Sequence, residues 1–191
     1  GLATEEASRT RRQSDLRSAI SLRDVPSCVL AAREMVTAAT TAANTRADEL
    51  DAKEDEQFKA AFGIEEGSRV KGASKRKVDA AKKQLADHQK NRRKRMIRDE
   101  ADRSLVDLLG LFRDVLMVQI GSNLELINQE MRPAVESFAA RGNPADTTRT
   151  LVAIERARAS IKASTPPQLA VESVMVSIKD PKLASVHVNM R

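Results

Sequence analysis

The sequence predicts an all-α protein, and three observations carry that expectation. Apolar residues recur at spacings of three and four along most of the chain, the repeat that lines one face of a helix. Trp and Tyr are absent and Phe occurs only at 58, 62, 112 and 138, so the apolar content is mostly Ala, Leu, Val, Ile and Met. Ala, Leu and Met, with the abundant Glu, Lys and Arg, are good helix formers. The 7 Gly and 6 Pro cluster at a few places, where they read as boundaries between helices. The expected architecture is a helical bundle with a long, projecting antiparallel helical hairpin. A chain of 191 residues can hold one domain with a core plus such an arm.

A first helix is expected from Thr4, whose hydroxyl can cap the following turn, to about Ala19, with Glu5 and Glu6 suited to its positive end. Residues 1–23 thus read as a linker helix. Asp24 then reads as an N-cap, with Pro26 in the first turn where its missing amide costs nothing. Cys28 and Val29, Ala32, Met35 and Val36, Ala39, Ala42 and Ala43, Leu50, Phe58, and Ala61 with Phe62 keep helical spacing as far as Gly63. That is a helix of about 37 residues, or about 55 Å. Residues 63–74 hold three of the seven glycines and read as a flexible loop.

A second long helix is expected from Lys75 to Ile120, ended by Gly121, so that residues 24–120 form two long antiparallel helices. Its apolar face runs Val78, Ala81, Leu85 and His88, and thins before Met96. It thickens again at Leu105, Leu108, Leu109, Phe112, Val115 and Leu116, with an Arg113-Asp114 pair on the other side. Residues 121–180 read as compact. There Asn128 caps a helix over 129–141 that tolerates Pro133 near its start and stops at Gly142. Asn143-Pro144 opens the next helix, which turns Leu151, Ile154, Ala157 and Ile161 inward. Thr165-Pro166-Pro167 breaks it and starts a last helix to about Ile178, and 181–191 reads as a loose tail.

Charge makes the two long helices partners. Residues 48–66 carry eight acids against Lys53 and Lys59, a net −6, whereas residues 67–98 carry thirteen bases against Asp79 and Asp87, a net +11. The chain's net +6 is therefore owed to that one basic tract, which leaves −5 elsewhere. Folding back through the glycine loop sets the acidic end of one helix beside the basic start of the next. Each exposed pair contributes little, but the pattern sets register and orientation.

Few residues invite chemistry. The sequence has no phosphate-binding glycine loop, no dinucleotide fingerprint and no His-Glu-x-x-His. His88 lies in a charged helix and His187 in the tail, and neither has an evident partner for acid–base work. Cys28 stands alone on an apolar face and reads as a small buried hydrophobe. Glu155 with Arg156 and Arg158 is a candidate ion-pair cluster and reads as structural or interfacial. No catalytic site, metal, cofactor or small-molecule substrate is expected. No apolar run approaches eighteen residues and no signal-peptide pattern opens the chain, so no membrane role and a cytoplasmic location are expected. Because the chain begins Gly1-Leu2-Ala3 without Met, it is expected to continue upstream.

The basic tract offers the sharpest alternative. Lys90, Arg92, Arg93, Lys94, Arg95 and Arg98 fall within nine residues, and with the bases from residue 69 onward they could contact DNA phosphates in a weak, salt-sensitive way. Against this stands a solvated charged face with no interleaved aromatic residue for base stacking.

Three segments in order carry a family resemblance: an apolar helix with Phe112-Arg113-Asp114, a helix with Ile154-Glu155-Arg156-Ala157-Arg158, and Pro167-Gln168-Leu169-Ala170-Val171-Glu172. In this they resemble the C-terminal collar domain of delta-prime subunits of the bacterial DNA polymerase III clamp loader, most closely the actinobacterial type. The match covers residues 99–178 well and 1–62 more loosely. The resemblance implies a pentameric ring whose helical C-terminal domains pack as a collar beneath ATP-driven modules that load the sliding clamp during DNA replication. It implies gamma/tau and delta subunits as partners, and residues 1–23 as the end of a preceding lid domain. It implies no enzyme in this segment, only a part of a DNA-directed DNA polymerase assembly. Phe112, Arg113, Asp114, Glu155, Arg158, Pro167, Leu169, Ala170 and Glu172 would then be core or collar-contact positions. Ser164-Thr165 departs from the Asn that relatives often carry before the proline, and the charged hairpin is longer than in the better-known members. Two other classes remain open on the residues alone: a basic helical nucleic-acid-binding module using residues 69–98, and a coiled-coil adaptor that self-associates through residues 25–120.

Overall fold

Most ends of the helices are written locally and hold in the structure, but the helix expected over 129–141 is instead a 3-10 turn followed by a shorter helix. The computed structural model describes residues 2–64 and 73–183 without the side chains of 2–5, 7, 73 and 74. Its helices are α1 (Leu2–Ile20), α2 (Val25–Ala61), α3 (Ala73–Gln119), α4 (Arg132–Ala139), α5 (Pro144–Lys162) and α6 (Pro167–Lys179), with a 3-10 turn over Gln129–Met131. No strand occurs among the described residues; the protein is all-α. The first helix begins at Leu2, ahead of the expected start, and the side chain of Thr4 lies outside those described. Most of the glycine loop (65–72) and of the tail (184–191) also lies outside the described residues.

Asp24 caps α2 as the sequence predicts. Its Oδ1 accepts from the Ser27 amide at 2.8 Å, and the Ser27 hydroxyl accepts in return from the Asp24 amide at 3.0 Å. Three helices end in one device, in which the amide two residues past the C-cap reaches back five residues and the preceding amide reaches back three. Ile64 to Lys59 with Gly63 to Ala60 closes α2, and Ser122 to Met117 with Gly121 to Val118 closes α3. Thr165 to Ser160 with Ser164 to Ile161 closes α5. The pivot of this device is left-handed: φ is +60° at Gly63 and +66° at Gly121, but at the end of α5 the pivot is Ser164, at +78°. Asn143 caps α5 by accepting from the Asp146 amide at 3.0 Å.

Packing divides the chain into two units, one of Gly1–Ala39 with Ala101–Arg191, the other of Thr40–Glu100. The first holds the main apolar core. Leu16 and Ala19 of α1, Cys28, Ala32 and Met35 of α2, Leu105, Leu108, Leu111, Phe112 and Val115 of α3, Ile154 and Ile161 of α5, and Val171, Val174 and Met175 of α6 are buried there. Cys28 is fully buried beside the Met175 carbonyl, 3.5 Å from Sγ, and burial raises its thiol pKa. Its sequence neighbour Val29 is exposed, so that pair splits across the helix. On α3 the buried arc is wider than the spacing predicts and turned round the helix. It takes in Ser104, Leu111 and Asp114, while Leu109 and Leu116 are only half-buried.

In the second unit, α2 and α3 pair antiparallel: Arg46 meets Glu100 at 2.7 Å, Arg93 meets Asp48 at 2.7 Å, and Gln89 meets Asp55 at 3.2 Å. Among the described residues of this unit only Ala43 and Ala47 are buried apolar residues. The expected seam residue Leu50 is 42% exposed and Phe62 41%, and on α3 Gln89 rather than His88 faces inward. Asp51 and Glu54, one and two turns beyond Ala47, occupy the seam in place of apolar residues.

Candidate functional site

The Phe-Arg-Asp segment of α3 does something that its sequence does not suggest. Asp114 is fully buried in the first unit, not on the solvent side of the helix. Its Oδ1 accepts from the Ile127 amide (2.9 Å) and from Arg113 Nη1 (3.0 Å); its Oδ2 accepts from the Asn128 amide (2.7 Å) and from Asn128 Nδ2 (2.8 Å). Burial pushes the carboxyl pKa up, but the two backbone amides, then Asn128 and Arg113, outweigh it and hold the group below its ordinary value. Arg113 also donates to the Glu125 carbonyl at 3.0 Å.

Asn128 is therefore not the side-chain cap that the sequence predicts, and no such cap bond forms at the 3-10 turn. Its amide bridges two charges instead: Nδ2 donates to Asp114, and Oδ1 accepts from Arg12 Nη2. Arg12 also donates to Asp107 at 2.9 Å and to Glu130 at 3.3 Å. One network thus ties α1, α3 and the segment 125–130 together and fixes that loop from beneath. On it Leu124 and Ile127 stand 61% and 59% exposed. Phe112 is buried against Phe138, edge to face, with centroids 5.7 Å apart.

Arg158 pairs with Asp102 of α3 through two bonds, 2.8 and 3.2 Å, and more weakly with Glu155 at 3.3 Å. The sequence names Glu155 and Arg158 but not Asp102, which lies 56 residues away. On α6, Ala170 is buried and Pro167 half-buried at the first turn; Glu172 accepts from Gln168 at 2.6 Å, and Leu169 is 58% exposed. The nine motif residues therefore share one unit; Glu155 and Leu169 are exposed, and the other seven are buried or half-buried.

The basic tract divides. Arg92 bonds Asp51 and Glu54, and Arg93 bonds Asp48 (2.7 Å) and Asp51 (2.6 Å). The Arg92 side chain is 12% exposed, which takes it away from any phosphate. The hydrogen bond with Glu54 raises the Arg92 pKa and lowers that of Glu54. Lys90, Lys94 and Arg95 are exposed and Arg98 is half-buried. Asp51 and Glu54 could be found in the sequence only as part of a net charge, because partner choice depends on register.

Among the described residues no group of three His, Cys, Asp or Glu is placed to hold a metal, and His88 is exposed. No described helix is long and apolar enough to cross a membrane. The fold is all-helical, and its polar networks fix a loop and pair helices within each unit. No family model, curated protein or solved structure matches the chain.

Proposed function

We propose that this chain is a structural assembly module, the collar domain of a clamp-loader delta-prime subunit, which packs with gamma/tau and delta collar domains in a pentameric ring. The observation that carries this reading is the use made of the motif residues. Phe112, Asp114, Arg158 and Ala170 hold the first unit together, while large apolar side chains on the same unit (Leu124, Ile127, Val152 and Leu169) are left 44–61% exposed. A loop anchored by a buried carboxylate presents two of them on a fixed backbone, which lowers the entropy lost when a partner covers them. The role is oligomerisation, and the module contributes order to a DNA-replicating assembly.

The test is solution mass by light scattering on a sizing column, for this chain alone and mixed with gamma/tau and delta subunits. The reading expects a monomer that enters a defined hetero-complex. It also expects Leu124→Glu with Ile127→Glu to abolish that complex while helicity is kept. A chain that ignores these partners, or forms its own stable dimer, overturns it.

A further inference from the structure

The second unit carries a charge asymmetry that its own pairing leaves in place. The carboxylates of α2 reach Arg92 and Arg93 and neutralise them. Lys90, Lys94 and Arg95 are exposed and, among the described residues, have no ion-pair partner. Lys90 and Lys94 lie at i, i+4, with Arg95 beside them, where like charges on a helix repel. His88, Asn91, Arg92, Lys94, Arg95 and Arg98 line a groove of about 380 Å³, with no carboxylate among them. Five more exposed bases precede it between 75 and 83. At 1.5 Å per residue the stretch from Lys75 to Arg98 spans about 35 Å, close to one turn of a DNA duplex.

We propose that this face of α3 binds the phosphate backbone of double-stranded nucleic acid, without reading sequence. A row of like charges that repel one another is relieved by a polyanion, and duplex DNA offers one charge per about 1.7 Å of axis against about 3.4 Å for a single strand. No aromatic residue lies on α3 before Phe112, so base stacking, the main attraction of single strands, is lacking. Insertion into an anionic membrane would need an apolar face beside the bases. Here the flanking seam of α3 is occupied by Arg92 and Gln89, bonded to α2. This function resides in the second unit and is independent of the assembly role.

The test is fluorescence anisotropy of a labelled mixed-sequence 24-bp duplex titrated with the 191-residue chain between 25 and 250 mM KCl. The affinity of the unaltered chain should fall steeply with salt. The triple variant Lys90→Glu, Lys94→Glu, Arg95→Glu should weaken binding at least 10-fold at 50 mM and reduce the log–log salt slope by about 2–3, since each neutralised phosphate contributes about 0.9. Lys53→Glu, Lys59→Glu, Lys162→Glu changes net charge equally at exposed positions off α3, and should weaken binding less than threefold. Should the Glu triple lose helicity by circular dichroism, the corresponding Ala triple, which favours helix, decides the matter. Absent duplex binding at 50 mM, equal losses in the two charge variants, or tighter binding of a single strand of the same length each overturns the proposal.

Discussion

Asp15 of α1 gives the sharpest handle on what stabilises the first unit. It is 9% exposed, and burial pushes its carboxyl pKa from 3.8 up to about 6. Arg11 pulls it back down; Asp107 on α3 adds to the rise, the Ser104 hydroxyl lowers it, and Glu34 on α2 raises it further. A folded state that holds this proton more tightly than the unfolded chain loses stability as pH rises from about 4 to about 6, and the loss is complete by about pH 7. With about 1.4 kcal/mol per pKa unit, a shift of about two units corresponds to about 3 kcal/mol. Asp15→Asn keeps the shape and removes the ionisation. It should match the parent near pH 4 and exceed it by about 1–3 kcal/mol at pH 7.5, a rise in Tm of several degrees for a chain of this size. Urea denaturation of both proteins from pH 4 to 8 measures this directly. The difference between the two stabilities should climb with pH between about 4 and about 6, half of the rise being reached near 5, and should level off above that. A flat difference, or an Asn variant that is less stable at pH 7.5, would refute the reasoning.

Asp114→Ala removes the acceptor for two backbone amides and for the Asn128 side chain, and should destabilise by about 3–5 kcal/mol; a loss under 1 kcal/mol in urea titration would contradict its role. Because its folded pKa is depressed, the stability that Asp114 confers is present above about pH 4 and is lost as pH falls through the folded value, so the Ala variant should lack that part of the acid-unfolding transition. Ser164→Gly relieves a non-glycine residue at φ +78° and should raise Tm by about 1–3 °C, for a gain of about 0.5–1 kcal/mol. Arg92→Ala removes the guanidinium shared by Asp51 and Glu54 in the second unit, leaving Asp51 to Arg93 and Glu54 without its cation. Hydrogen exchange at residues 47–58 should then quicken by about tenfold or more, and unchanged protection would show that the apolar contacts alone suffice.

The candidate surfaces were only partly legible in the sequence. Glu155 and Arg158 stand out as a cluster, yet the bond that orients Arg158 comes from Asp102, which nothing in the local spacing singles out. Arg92, Arg93, Lys94 and Arg95 look alike in a row of bases, but 100° per residue sends the first two to carboxylates and the others to solvent. Leu50 fits the apolar repeat and is nevertheless exposed, because the seam passes through Asp51 and Glu54, which find partners in Arg92.

The all-α class, the helix order and most of the helix ends follow from local sequence alone. Caps such as Asp24 and Asn143, proline at 144 and 167, and glycine at 63 and 121 act through bonds within five residues and need no distant partner. Which polar groups are buried depends on how distant segments pack together. Asp114 reads as a surface acid until the loop 13 and 14 residues on brings two amides to it, and Arg12 reaches Asn128 across 116 residues. Burial of a charge is decided by whether donors arrive to replace water, and that arrival depends on the packing of the whole unit, not on the local repeat.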